Sequence, residues 1–253
     1  MKKKKILVSN DDGINAPGIK ALVTALKHDY EVIVVAPDKQ MSAVGHAITI
    51  NSPLRVKEYF SDGEFFGYAV NGTPADCVKL ALRSLLDEPP SAILSGVNHG
   101  ANTSTSVMYS GTVSAATEGT FLGIPSVALS LCTYGIPDFI FAQKVAKKMA
   151  HHLTTASIPK GILLNVNIPA VDEKEIAGYK ITRMGNSVWD DVFEHRKDPQ
   201  QQSYYWLTGK LMIVDDADDQ DEIAVTQNYV SITPIQFDLT AYKFLDELKT
   251  WKF

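Results

Sequence analysis

The run Lys5-Ile6-Leu7-Val8-Ser9-Asn10-Asp11-Asp12-Gly13 decides the fold. Its apolar centre predicts a short buried strand over residues 5–9, which stops abruptly in polar, turn-forming residues. Residues 10–17 read as a loop, and Ile19, Leu22, Val23 and Leu26 then recur at helical spacing over residues 18–27. A second apolar run over residues 31–36 is closed by Pro37. Strand, helix and strand with short connections make a right-handed βαβ unit, so these two strands are expected to be parallel.

The alternation continues outward. Residues 54–59 and 65–70 flank Ser61-Asp62-Gly63, a hairpin signal, and Pro74 opens a helix through Leu86. Residues 92–95, 126–131 and 161–167 read as core strands, and residues 113–122 and 139–153 as helices. This pattern predicts an open, mostly parallel α/β sheet between two helical layers, Rossmann-like in plan. After about Pro169 the texture changes. Residues 179–183, 189–195, 204–209 and 229–233 look like strands with little helix between them. The expected division is therefore an α/β catalytic domain over residues 1–170 and a β-rich extension over residues 171–253. Trp189, Tyr204, Tyr205 and Trp206 suggest a hairpin that packs on another subunit, giving a homodimer or homotetramer. The acidic run 215–222 lacks the spacing of a calcium loop and reads as a solvated turn.

Composition excludes some classes of function. Of 253 residues, 45% are hydrophobic and 21% charged, and the net charge is -5. Without a basic stripe, duplex nucleic acid is not an expected partner; the cluster at residues 2–5 reads as a solvated tail. The two cysteines, Cys77 and Cys132, form no CxxC motif and fit buried thiols in a reducing compartment. The run Ile6-Leu7-Val8 is too short for a signal-peptide core and nothing is long enough to span a bilayer, so a cytoplasmic location is expected.

In open parallel sheets, ligands gather beyond the carboxyl ends of strands. The first strand ends in Asn10-Asp11-Asp12-Gly13, the second runs into Asp38 and Ser42, and the third core strand into Asn98, His99 and Asn102. Each taken alone reads equally well as a turn or a cap, but together they deliver oxygen donors to one edge. Both aspartates reach one point only if the backbone curls there, which Gly13 favours. Tyr109-Ser110-Gly111-Thr112 then precedes a helix of small residues, where free N–H groups and hydroxyls can hold an anion as well as cap the helix. No Gly-Lys-Ser/Thr follows, which excludes a Walker loop.

The segments Val8-Ser9-Asn10-Asp11-Asp12-Gly13, Ala16-Pro17-Gly18-Ile19, Ala36-Pro37-Asp38, Ser42-Ala43 with Gly45, Gly72-Thr73-Pro74-Ala75-Asp76, Ser95-Gly96-Val97-Asn98 and Tyr109-Ser110-Gly111-Thr112 resemble the SurE survival-protein family of nucleotidases. The resemblance implies hydrolysis of nucleoside 5′- and 3′-monophosphates with one divalent cation per subunit, Mg²⁺ or Mn²⁺. Carried over by motif, the metal ligands are Asp11, Asp12, Ser42 and Asn98. Asp12 is the expected group that orients or deprotonates water. Asn102, Ser110, Gly111 and Thr112 are expected to hold the phosphate, with Asn102 also acting in catalysis. His46 and His99 are both considered as the leaving-group acid, and Asp76 is assigned a structural role. The chain departs from the family pattern at Ser104 and Ser106, where glycine and aspartate are expected, and at Ser114; these bear on loop shape and substrate preference. Three other readings compete: a metal- and nucleotide-binding sensor without turnover, a phosphatase of the haloacid-dehalogenase type using Asp11 as nucleophile, and a metal-dependent sugar-nucleotide transferase. Adjacent aspartates in place of Asp-x-Asp argue against the second.

Overall fold

The structure, a computed structural model, describes residues 2–214 and 216–252. Its centre is the predicted βαβ unit: β1 (Lys5–Ser9), α1 (Pro17–Leu26) and β2 (Glu31–Pro37). β1 lies parallel to β2, with Val8 opposite Val34, and parallel on its other side to β5 (Ala92–His99), with Val8 opposite Leu94. The remaining elements of the first half are the hairpin strands β3 (Val56–Ser61) and β4 (Glu64–Val70), then α2 (Pro74–Leu80), whose last turns widen into π-helix. After β5 come α3 (Gly111–Phe121), β6 (Ser126–Cys132), α4 (Ile140–Thr155) and β7 (Ile162–Pro169).

The fold class is as the sequence predicts. Beyond β7 lie β8 (Gly178–Ile181), β9 (Val188–Lys197), β10 (Ser203–Met212), α5 (Asp221–Thr226), β11 (Tyr229–Gln236) and α6 (Tyr242–Leu248). The main sheet runs β3-β4-β2-β1-β5-β6-β7-β11-β8. Its inner strands are parallel, and β11 adds antiparallel to β7. Two strands from beyond residue 170, β8 and β11, thus belong to the main sheet. β8 and β11 cover the edge that β7 would otherwise expose, while β9 and β10 form a separate two-stranded arm. The acidic run also differs from the expected solvated turn. Asp221 opens α5 and is fully buried, whereas Asp215 lies outside the described residues.

Helices cover both faces. Ile19, Leu22 and Leu26 of α1 join Val145, Met149 and Leu153 of α4 in one core. Cys77 and Val78 of α2 and Ala115 of α3 pack with Leu7 and Ile93 on the other face. The layer of α1 sits so close to the sheet that a Cβ on Gly18 would lie 1.9 Å from the carbonyl oxygen of Val97. Gly18→Ala should therefore lower stability by about 3 kcal/mol, the upper end of the usual cost of overpacking. A fall in the urea midpoint at unchanged m-value would show it.

Candidate active site

The curl required at the end of β1 is present. Gly13 has φ +96°, and Asn10 Nδ2 donates to the Gly13 carbonyl at 2.9 Å, closing the turn. Backbone bonds then draw three loops together: Met41 N–H donates to Asp11 O at 2.7 Å, Ile14 N–H to Pro37 O at 2.9 Å, and Gly45 N–H to Tyr109 O at 3.0 Å. The result is a cavity of about 930 Å³ beyond the carboxyl ends of the parallel strands. Asp11, Ser42, Asn98, Asn102 and Ser110 all contribute to its wall.

Asp11 is 5% exposed, and its carboxylate accepts the hydroxyl hydrogen of Thr112. Burial pushes its pKa up to about 6, against the Thr112 hydrogen bond; the neighbouring charge of Asp12 adds to the rise. Asp12 is partly exposed and is not among the residues that line the cavity; its Oδ2 accepts the N–H of His99 at 3.3 Å. Burial raises its pKa too, and the His99 N–H opposes the rise. Two crowded, poorly solvated carboxylates favour a cation that compensates them. Asn98 commits Nδ2 to the carbonyl of Gly100 at 2.9 Å, leaving its side-chain oxygen as the available donor. Ser42 Oγ accepts from Gln40 Nε2 at 2.8 Å. An all-oxygen set of this kind suits a hard divalent ion such as Mg²⁺ or Mn²⁺.

The expected phosphate residues separate into two kinds. Ser110 caps α3, its Oγ accepting from Val113 N–H at 3.1 Å, which leaves the hydroxyl hydrogen able to donate. The N–H of Gly111 opens α3, outside the helix's own hydrogen-bond ladder. Thr112 turns both its hydroxyl and its N–H to the Asp11 carboxylate, so it supports the carboxylate and does not face an anion. Asn102 is held on three sides: its N–H donates to Asn167 Oδ1 at 2.8 Å, its Nδ2 to Ser130 Oγ at 2.8 Å, and its carbonyl accepts from Asn165 and Asn167. One hydrogen of its side-chain amide remains free of that net.

Sequence reading did not single out Ser130, Asn165 or Asn167. The signal was the alternation Leu164-Asn165-Val166-Asn167-Ile168, polar residues in a strand whose other positions are all apolar. Of the two histidines, His99 lines the cavity, with Nε2 2.8 Å from the Gly135 carbonyl. His46 is placed elsewhere: Nε2 lies 3.0 Å from Glu118 Oε2 and the ring stacks on Phe121. Burial pulls the pKa of Glu118 upward, but hydrogen bonds from His46 and Lys79 outweigh this and hold it below the usual carboxylate range. Asp76 completes a capping box with Thr73 and accepts from Thr49, anchoring the loop that follows Ser42.

A sequence model of the family described as "Survival protein SurE" matches residues 6–191. The chain belongs to the SurE family. It is 48% identical over 251 residues to the 5'-nucleotidase SurE of Chlorobium limicola, covering 99% of this chain and 97% of that protein. It is 46% identical to the 5'-nucleotidase SurE of Carboxydothermus hydrogenoformans, covering 98% and 96% of the two chains. The crystal structure of the SurE protein from Aquifex aeolicus superposes with a TM-score of 0.84 at 39% identity, covering 97% of this chain and 98% of that one. Among the described residues of this SurE chain, no helix is long and apolar enough to cross a membrane.

Proposed function

We propose that this SurE protein is a divalent-metal-dependent nucleotidase that hydrolyses nucleoside 5′-monophosphates, and with a wider tolerance 3′-monophosphates, to nucleoside and phosphate. The observation that carries this reading is the convergence of Asp11, Ser42 and Asn98 with Asn102 and Ser110 on one cavity wall. One Mg²⁺ or Mn²⁺ per subunit would be held by Asp11, Asp12, Ser42 and Asn98. When bound, the cation supplies Lewis-acid polarisation of a phosphoryl oxygen and neutralises charge that builds in the transition state.

The chain's own residues do the rest. Thr112 fixes the direction of Asp11 through its hydroxyl. The free amide hydrogen of Asn102, the hydroxyl of Ser110 and the N–H of Gly111 hold the remaining phosphoryl oxygens, while Thr112, expected among them, is committed to Asp11. Asp12 orients the attacking water and takes its proton; the P–O ester bond breaks as the new P–O bond forms, the departing nucleoside oxygen takes a proton from solvent water, and Asp12 returns its proton to solvent. Ser42 and Asn98 are neutral, so the set does not repel a dianionic substrate as a third carboxylate would.

Assembly as a homodimer or homotetramer is supported by the arm, where Phe193, Tyr205, Trp206 and Leu207 are more than half exposed. The free thiols Cys77 and Cys132 fit a cytoplasmic setting. The decisive measurement is release of inorganic phosphate from AMP or GMP. Chelator-treated protein should lose activity by at least about 100-fold and regain it on adding Mn²⁺ or Mg²⁺. Phosphate release that ignores the chelator sinks the metal-dependent reading; nucleotide binding without release would make the protein a sensor.

A further inference from the structure

Directly after Asn102 the chain runs Thr103-Ser104-Thr105-Ser106, and each of these residues bonds through its side chain to the region beyond residue 184. The Thr103 hydroxyl donates to Glu222. Ser104 donates its N–H to Asp221 Oδ2 at 3.0 Å, and its hydroxyl lies 3.4 Å from Oδ1. The Thr105 hydroxyl donates to the Ser187 carbonyl at 2.8 Å. The indole N–H of Trp189 donates to Ser106 Oγ at 3.4 Å. Ser104 and Ser106 are two of the three positions where the resemblance to the family leads one to expect other residues, and both supply atoms to this row.

Asp221 is the centre of the arrangement. It is fully buried, and besides Ser104 it accepts the N–H of Gly185 at 2.9 Å and that of Glu222 at 2.8 Å. Its carboxylate thus joins the start of α5, the strand-linking segment before β9 and the loop that begins at Asn102. Ser104 is held there with φ +50°, a backbone conformation that L-residues seldom adopt without a local partner. Burial raises the pKa of Asp221, and the bonds from Ser104, Gly185 and Glu222 oppose the rise. The loop so fixed has Asn102 at one end and Ser110 at the other, with Thr105 and Ser106 on the cavity wall between them.

We infer that Asp221, seconded by Glu222, is a positioning residue that sets the spacing of Asn102 and Ser110 for the phosphate group through the hydroxyl row at residues 103–106. This rests on the nucleotidase reading of the cavity and names a contribution from outside it: neither carboxylate lines the cavity. A carboxylate is suited to the task because it accepts from donors on both of its oxygens at once, whereas an amide must turn hydrogens toward one set of N–H groups.

The test uses inorganic phosphate as probe, by calorimetry in the presence of Mn²⁺, beside steady-state kinetics with AMP. Asp221→Asn should raise the dissociation constant for phosphate about tenfold and KM by a similar factor, with kcat falling by less than about threefold. Thr103→Val removes one hydroxyl and should shift both constants in the same direction. It keeps the test open should Asp221→Asn fold poorly. Faster amide exchange across residues 102–110 should accompany both changes. Phosphate affinity and KM within about twofold of wild type in every folded variant overturn the inference, whatever the exchange shows. Wild-type protein that binds phosphate but releases none from AMP defeats the nucleotidase reading alone, and the affinities still decide the role of Asp221. Wild-type protein that does not bind phosphate defeats both.

Discussion

Asp11→Asn should lower metal-dependent phosphate release by at least about 10³-fold, a loss of roughly 4 kcal/mol in transition-state stabilisation, while leaving the protein folded. The substitution preserves shape, and an amide oxygen still accepts the Thr112 hydroxyl. What it removes is a negative charge that burial disfavours strongly enough to lift the pKa to about 6. Without a cation, the neutral variant should be at least as stable as the parent, because an uncompensated buried charge is a cost to folding. Added Mn²⁺ should raise the thermal midpoint of the wild type and leave that of Asp11→Asn unchanged. Equal stabilisation of both proteins by Mn²⁺ would remove Asp11 from the ligand set.

Asp12→Asn separates the two carboxylates. Its Oδ2 accepts the His99 N–H, an interaction an amide oxygen can keep. The variant lacks a proton acceptor for the attacking water, so kcat should fall by about 10²–10⁴-fold, with metal-induced stabilisation reduced less than in Asp11→Asn. Wild-type turnover in purified Asp12→Asn would exclude it as the base.

Much of this is legible in the sequence. Strand ends announce themselves where a β-branched run meets Asn10-Asp11-Asp12-Gly13 or Asn98, and parallel connections place those ends on one edge. Cooperation between elements distant in sequence was not legible. Asp221 sits in an acidic run whose composition signals solvent, and only the fold brings Ser104 and Gly185 onto it. The role of the Thr112 hydroxyl was hidden for the same reason: a Ser-Gly-Thr at a helix start reads as an anion site, and nothing in its spacing reveals a carboxylate beneath it. The short helices α5 and α6 gave no periodic signal because six or seven residues hold too few turns to establish one. Conversely, the arm was legible as strands although almost every side chain in β9 and β10 is exposed, since its β-branched and aromatic content does not depend on burial.

Gly111→Ala should be nearly as damaging to turnover as loss of a ligand, although a methyl group carries no chemistry. A Cβ on Gly111 would lie 2.6 Å from Asp11 Cβ and 2.9 Å from its Oδ2, closer than side-chain atoms pack. Neither side can yield cheaply. Asp11 is tied through its own carbonyl to Met41 N–H, and the start of α3 is tied through the Ser110 cap. Relief of the clash must therefore rotate the carboxylate away from Thr112 or lift the first turn of α3, and either movement would shift Asp11, a residue that would hold the ion, relative to the phosphate donors. Misplacement on the order of 1 Å is enough for about 100-fold, so kcat/KM should fall at least that far. Added Mn²⁺ should stabilise the variant less than the wild type, and Gly111→Ser should behave no better, because the obstacle is the first side-chain carbon. Wild-type kcat/KM in Gly111→Ala would mean that Asp11 and the opening of α3 are not held in the close register from which the whole site is built.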